Sequence, residues 1–414
     1  MYEIRVETKD SKMHTTFQEL IAPLNKFFDT QSAHIDAHCG SKKLFFADFS
    51  KKLIYAFLMN IPSLRQLTTE LQTSSSAAQL GLSPTAFSTL KDGFNRFAMI
   101  YFQQLYQSVL QGCTWLRIDA LDELGVFRAI DGSIFPTLSS MDWAQYKKHS
   151  KALRLHLSFE LNRMLPVEFM GLKANSCERS FLVGHLQKGI TYIADRGYFS
   201  FKVAHKIETA KAFFILRIKN NLKIAQAIQL PLTHTKAGGF PLCFQELSDS
   251  LVRFESDKHE HFYRLIRFVV QDSEFLICTN RIDLTTLQII ILYAYRWQIE
   301  LLFKFIKRTL KGIHLFNHSP NGVNIQFHIL MIVALLQLRL KQTCIRLVEN
   351  PKNTQGNPKS LEQIPTHLGY SPDCWIESLT SCLKKYWKIC VHWIRKLQNR
   401  ITHPFDSQTV KMLT

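Results

Sequence analysis

The chain has 414 residues, 46% of them hydrophobic, and a net charge of +18. At this length a single core no longer suffices and two or three structural units are expected; the charge calls for a polyanionic partner such as nucleic acid or an anionic membrane. The longest apolar run, Ile329 to Leu336, falls well short of the roughly 20 residues that cross a bilayer, no signal peptide opens the chain, and the nine cysteines form no CxxC pair, so membrane and disulfide-scaffold classes give way to a reduced cytoplasmic protein that works on nucleic acid.

The charge is uneven: +2 over residues 1–120, +5 over 121–292 and +11 over 293–414. The surface that meets a polyanion is therefore expected largely in the last third. Residues 1–120 carry apolar positions at helical spacing and few β-branched runs, which predicts a helical domain. Within it, Gly81 marks a turn, with Ser83 as N-cap and Pro84 at the first helical position after it. A helix-turn-helix has this pattern, and so does a plain packed helical hairpin. His34, His38 and Cys39 could share a metal by spacing alone, but no second ligand pair matches them, and ordinary surface and core positions account for them better.

From Val126 the pattern changes to strands. VFRAI runs into Asp131, ALRLHLSF and PVEFMGL follow at 152–159 and 166–172, and ITYIA at 190–194 runs into Asp195. A helix over Phe199–Ala210 and a strand at 213–219 complete a mixed α/β order. Three further strand-like pieces between 251 and 280 have no helix between them and read as a β-rich insert. Helical periodicity resumes at Leu284 through Leu310 and again from Val323 to about Val348. The polar stretch at 350–360 is a loop, followed by a basic helical tail.

The helix after residue 284 is the most informative stretch. Tyr293, Arg296, Glu300, Lys304 and Lys307 are spaced 3, 4, 4 and 3, which puts all five on one side of an α-helix. Ile299, Phe303, Ile306 and Leu310 form an apolar stripe about a quarter-turn away. Glu300 could simply make i,i+4 pairs with Arg296 and Lys304 on a solvated face. A lone carboxylate among cations also suits a metal ligand held beside phosphates. Asp131, read as the end of a strand opening the turn Asp131-Gly132-Ser133, and Asp195, at the end of another strand, occupy positions where α/β enzymes present reactive groups. Asp131, Asp195 and Glu300 together could hold two Mg²⁺ ions, with Mn²⁺ as a substitute, one activating a nucleophile and one stabilising the leaving oxygen in phosphodiester displacement.

With Tyr293, Arg296, Glu300 and Lys307 matching a Tyr-x2-Arg-x3-Glu-x6-Lys signature, the sequence resembles the DDE transposases of bacterial insertion sequences, specifically the insertion-sequence-four group. IDGS around Asp131, ADRGYFS around Asp195, CTNR at 278–281 and FNHSPNGVNIQ at 316–326 share the resemblance, which covers roughly residues 115–345. It implies a ribonuclease-H-like mixed-sheet catalytic core over 121–345 with a β-rich insert at about 220–282, preceded by the helical domain of residues 1–120 and followed by the basic helical region 346–414. It implies that Asp131, Asp195 and Glu300 bind the metals and that Tyr293, Arg296, Lys304 and Lys307 contact DNA. It also implies a homodimer acting by cut-and-paste on the terminal inverted repeats of an element and on target DNA, in the cytoplasm at the nucleoid. Better-known members stack a flipped base on a tryptophan of the insert, whereas this chain has none between Trp143 and Trp297; Phe254, Phe262 or Tyr263 could substitute, or pack in the sheet. Two further readings stay open: a catalytically inactive, transposase-derived DNA-binding protein, and a related nuclease such as a junction resolvase.

Overall fold

The structure is a computed structural model, and it describes residues 9–39, 43–136, 141–147, 150–173, 177–233, 245–270, 273–308 and 315–349. The basic tail, Leu310 and Lys311 lie outside these. The helices are α1 (Lys9–Cys39), α2 (Phe46–Leu58), α3 (Leu64–Thr73), α4 (Ser75–Gln79), α5 (Phe87–Arg96), α6 (Met99–Gly112), α7 (Asp119–Asp122), α8 (Glu178–Gly184), α9 (Phe201–Thr209), α10 (Thr286–Tyr295), α11 (Trp297–Arg308) and α12 (Pro320–Glu349). The strands are β1 (Val126–Pro136), β2 (Gln145–Lys147), β3 (Ser150–Glu160), β4 (Leu165–Lys173), β5 (Ile190–Ala194), β6 (Phe213–Arg217), β7 (Ile224–Gln229), β8 (Gln245–Phe254), β9 (Phe262–Val270) and β10 (Ser273–Thr279).

Packing divides the chain into two units, one within Met1–Leu116, Leu138–Trp143 and Lys304–Ile394, the other within Arg117–Thr137, Ala144–Phe303 and Arg395–Thr414. In the first, an aromatic cluster of Phe46, Phe49, Phe97 and Phe102 joins α2, α6 and the turn between α5 and α6, with ring centroids 5.0–6.2 Å apart. Asn321, at the start of α12, donates to the carbonyls of Phe94 and Phe97 and accepts from the Met99 N–H. The motif around residue 321 thus ties α12 to the end of α5 and the start of α6. The stretch Pro320–Leu340 of α12 is by length and composition apolar enough to cross a membrane, but 72% of its apolar window is buried inside the protein, as in the core helix of a folded unit.

Gly81 adopts φ +73°, the left-handed conformation that glycine takes without strain. The expected helix start at Ser83-Pro84 is corrected: α5 begins at Phe87 after an extended Ala86. The reason is Lys52, whose buried ammonium donates to the hydroxyls of Ser83 (3.0 Å) and Thr85 (2.6 Å) and pairs with Asp48. Satisfying that buried cation takes the Ser83 oxygen away from capping.

The second unit is built on one mixed sheet in the order β2-β3-β1-β5-β6-β10-β9-β8-β7, with β4 on β3 beside β2. β1 runs parallel to β5 and β5 parallel to β6, while β3 is antiparallel to β1 and to β4. From β6 outward every pairing is antiparallel, so β7–β10 extend the sheet. β5 is buried at all five positions, which fits a central parallel strand covered on both faces. Phe181, Leu182, Val203, Ala204 and Ile207 of α8 and α9 pack over Tyr192, Phe214 and Leu216. β7, exposed throughout, carries no buried face and hence no hydrophobic alternation by which the sequence reveals a strand.

Two expectations about this unit change. Asp131 does not end its strand: β1 continues to Pro136 because β3 goes on pairing with it, Gly132 against His156 and Ser133 against Leu155. The helix expected over Leu284–Leu310 is interrupted at Arg296, where two i,i+3 hydrogen bonds, Arg296 to Tyr293 and Ile299 to Arg296, tighten the chain between α10 and α11.

Candidate active site

Parallel pairing of β1 with β5 ends at Ala129 against Ile193. Two residues further along each strand stand Asp131 and Asp195, so continuing the register brings both aspartates to the edge where β5 stops and to the same pleat. β1 runs on past that edge on β3 alone, which leaves Asp131 beside the gap that β5 vacates. Gly132 is required next to it: a Cβ there would lie 3.1 Å from the Arg154 side chain and 3.2 Å from His156 Nδ1.

The third acid comes from the helix pair. A capping box at Thr285 and Gln288 starts α10. Asp249 of β8 and Arg264 of β9 form a buried ion pair at 2.6 Å, and Asp249 also accepts from the Thr286 hydroxyl at 2.7 Å. Through this network the outer strands fix the start of the helix that leads to Tyr293, Arg296 and Glu300. Tyr293 is only 4% exposed, and its hydroxyl donates to Asp195 Oδ1 at 3.4 Å. Arg296 donates to Glu300 Oε1 at 2.9 Å. Arg217 of β6 stands 3.9 Å from Asp195.

Electrostatics ties these groups into one site. Burial pushes the Asp131 carboxyl up to about 6; the Gly132 N–H, at 2.8 Å from Oδ1, and the Arg296 guanidinium oppose this, while Glu300 and Glu178 add to it. Burial acts against the charge of Arg296, yet Tyr293, Asp195, Glu300 and Asp131 together hold its pKa above the usual value. Arg296 therefore sits within the field of all three acids. Tyr198, whose buried hydroxyl has no hydrogen-bond partner, is pushed up by burial and then by Asp131 and Glu178. Among the described residues the three acids do not close to within 4.8 Å of one another; one other group does so. Ligands shared between two ions about 3.5–4 Å apart need a wider spacing than those of one ion.

Lys304, exposed, and Lys307, half-buried, lie further along α11. His34 and His38 stack within α1 and His38 Nδ1 meets the His34 carbonyl; with Cys39 they form no three-ligand group. Phe254 and Tyr263 are core residues, whereas Phe262 is 46% exposed and is the ring of the three available for stacking. Sequence reasoning assigned no part to CTNR, yet Arg281 donates to Thr191 on β5 and to the Leu124 carbonyl before β1, and Thr279 and Asn280 bond the backbone of β6. These residues lock the strands that carry Asp131 and Asp195. The signal available was an arginine and polar residues closing an apolar strand.

A mixed α/β sheet with acids gathered at the end of its central parallel strands defines a protein that presents a carboxylate site at a strand edge. Residues 123–336, just over half of the chain, match the family described as the transposase DDE domain, and the chain belongs to that family. It is 27% identical over 220 residues to a protein of Sinorhizobium fredii named as a transposase, covering 51% of this chain and 60% of the relative. It is 28% identical over 156 residues to a Synechocystis protein named for an insertion sequence element, covering 36% of this chain and 40% of the relative. A Geobacillus stearothermophilus protein with a similar name is 23% identical over 201 residues, 47% of this chain and 51% of the relative. The chain thus spans about half the length of the relatives it matches.

Proposed function

We propose that this protein is a transposase that cleaves DNA at the inverted-repeat ends of an insertion sequence and joins them to a target, with Asp131, Asp195 and Glu300 as the catalytic acids. The observation that carries this reading is the coupling of the three acids to one guanidinium at the end of the parallel strands. The order β4-β3-β1-β5-β6, with β3 alone antiparallel to its neighbours' common direction, supports a ribonuclease-H-like core, with β7–β10 as the insert. Tyr293, Arg296, Glu300 and Lys307 support membership of the insertion-sequence-four group.

Hard carboxylate oxygens suit Mg²⁺ and Mn²⁺, and the negative field that holds Asp131 near 6 is one that a divalent cation would relieve. Asp131, Asp195 and Glu300 would hold two such ions, which when bound supply nucleophile activation and charge stabilisation at phosphorus. The chain's own groups arrange the ligands: Tyr293 orients Asp195, Arg296 orients Glu300, and Arg217 balances Asp195. Lys304 and Lys307 bind DNA phosphates along α11, and Tyr293 and Arg296 reach the transposon end from beside the acids. Double-stranded DNA, both terminal repeats and target, is the partner of a homodimer in which each copy supplies one set of acids. The region 1–120 and the basic region 346–414 are the further DNA-binding candidates.

A donor plasmid tests this reading, with a marker placed between the sequences that flank the gene. Expression of the protein should excise the marker and reinsert it elsewhere with a short target duplication. Binding of those flanks without excision would favour the catalytically inactive DNA-binding protein.

A further inference from the structure

We propose a second metal site in this protein, for a zinc-class divalent ion, formed by His205 and Glu208 of α9 and His261 at the start of β9. None of the three belongs to the acid set described above. His205 and Glu208 are three residues apart and share one face of α9. His261 reaches them from the loop between β8 and β9. One donor atom from each residue lies within 4.8 Å of the other two, and among the described residues this is the group of histidine, cysteine and carboxylate ligands that comes so close. His261 Nδ1 stands 3.4 Å from Glu208 Oε2. Ligands about 2.0–2.1 Å from a tetrahedral zinc are roughly 3.3–3.4 Å apart, so this pair already has the spacing of two ligands on one ion.

The surroundings hold the donors in place. Buried Asp257 accepts hydrogen bonds from the backbone N–H groups of His259 and His261, at 3.2 and 3.3 Å, and from the Tyr263 hydroxyl at 3.0 Å. The loop that carries His261 is therefore shaped before any ion arrives. His259 stacks on His205 with ring centroids 4.5 Å apart and planes 9° from parallel, which fixes the plane of the His205 ring. Nδ1 of His205 is buried without a hydrogen-bond partner, a cost that a ligand would remove. An ion pair between His261 and Glu208 alone would leave that nitrogen unexplained.

Two imidazoles and a carboxylate select zinc over magnesium or calcium, which prefer oxygen alone. All three residues are only partly buried, so a remaining coordination position faces water. A bound ion would clamp α9, which starts six residues after Asp195, to the β8–β9 loop of the outer strands.

The test uses the full chain, stripped with a chelator, loaded with Zn²⁺ in the presence of millimolar Mg²⁺ and desalted, with zinc measured per chain. One zinc per chain should be retained by the wild type and by an Asp131→Asn, Asp195→Asn variant. His205→Gln and His261→Gln should each weaken binding at least about 100-fold, and Glu208→Gln about 10-fold or more. Loading with Co²⁺ gives a readout independent of these variants: the wild type should gain the visible absorption of four-coordinate cobalt with imidazole ligands. Circular dichroism identifies any variant that fails to fold, and the Co²⁺ spectrum of the wild type decides in that case. Zinc retention unchanged in folded His205→Gln and His261→Gln, zinc lost on removing Asp131 and Asp195, or a wild-type spectrum of octahedral Co²⁺ would each overturn the proposal.

Discussion

The Tyr293 hydroxyl donates to Asp195 Oδ1 across 3.4 Å, so a residue of the signature helix acts on the carboxylate at the end of β5. Tyr293 is buried, and burial pushes its pKa up to about 12, which keeps it a neutral donor throughout the working range. Tyr293→Phe removes that donor and little else. It should leave the melting temperature within a few degrees of wild type and lower strand cleavage about 3- to 10-fold, the scale of one modest hydrogen bond. Single-turnover cleavage beside thermal denaturation checks this; equal rates would mean that the hydroxyl does not orient Asp195.

Asp131 gives the metal-free protein a pH signature. Its pKa rises from an ordinary 3.8 to about 6 on folding. Between those values the folded state binds more protons than the unfolded state, so this group's contribution to stability falls as pH rises through that window and stays low above it. Asp131→Asn should therefore stabilise the metal-free protein at pH 7 by about 1–3 kcal/mol and have little effect near pH 4. Denaturant titrations at the two pH values, in chelator, measure the difference. A variant destabilised at pH 7 would contradict the assignment.

The edge position of both aspartates was legible in the sequence, because ITYIA and VFRAI are apolar runs that stop at an acid. Whether a strand stops there was not legible. β1 continues because β3 pairs with it, and cross-strand pairing between residues some 25 apart leaves no local signal at Asp131. Ser83 makes the same point: a serine before proline is a good helix start, and only the distant, buried Lys52 turns it to another use. The signature helix was read in full from its spacing, yet its break at Arg296 and the burial of Tyr293 depend on the sheet beneath. β7 escaped notice because it has no buried face to pattern.

The outer strands are tied to the signature helix by the Asp249 and Arg264 pair, both residues buried. Arg264 also donates to the Arg281 and Leu284 carbonyls. Arg264→Ala should destabilise the protein by about 3–5 kcal/mol, because it strands a buried carboxylate. The double variant Asp249→Leu, Arg264→Met should recover a substantial part of that loss. Chemical denaturation of the three proteins checks this, and a double variant no better than the single one would show that the hydrogen bonds to the backbone matter more than the charge pair.

Lys304 and Lys307 carry the DNA-facing part of α11. Replacing each with Ala should lower the slope of log affinity against log salt by about one unit, with similar loss on end and random duplexes. An unchanged slope in a fluorescence titration would remove them from the interface.

The central claim is that Asp131, Asp195 and Glu300 act as one metal-dependent site for DNA strand cleavage, and nicking of a labelled duplex bearing the element's own end tests it most directly. Wild type, Asp131→Asn, Asp195→Asn, Glu300→Gln and the triple variant are compared at equal DNA occupancy in Mg²⁺, Mn²⁺ and Ca²⁺. Wild type should nick in Mg²⁺ and Mn²⁺ and not in Ca²⁺, whose looser coordination misplaces the reacting atoms. Each single variant should bind the end normally and lose cleavage by several orders of magnitude, and the triple variant should be scarcely worse than the worst single one. Nicking that persists at near wild-type rate in any of the three single variants, or wild-type protein that binds the end and never nicks it in either metal, would contradict the claim.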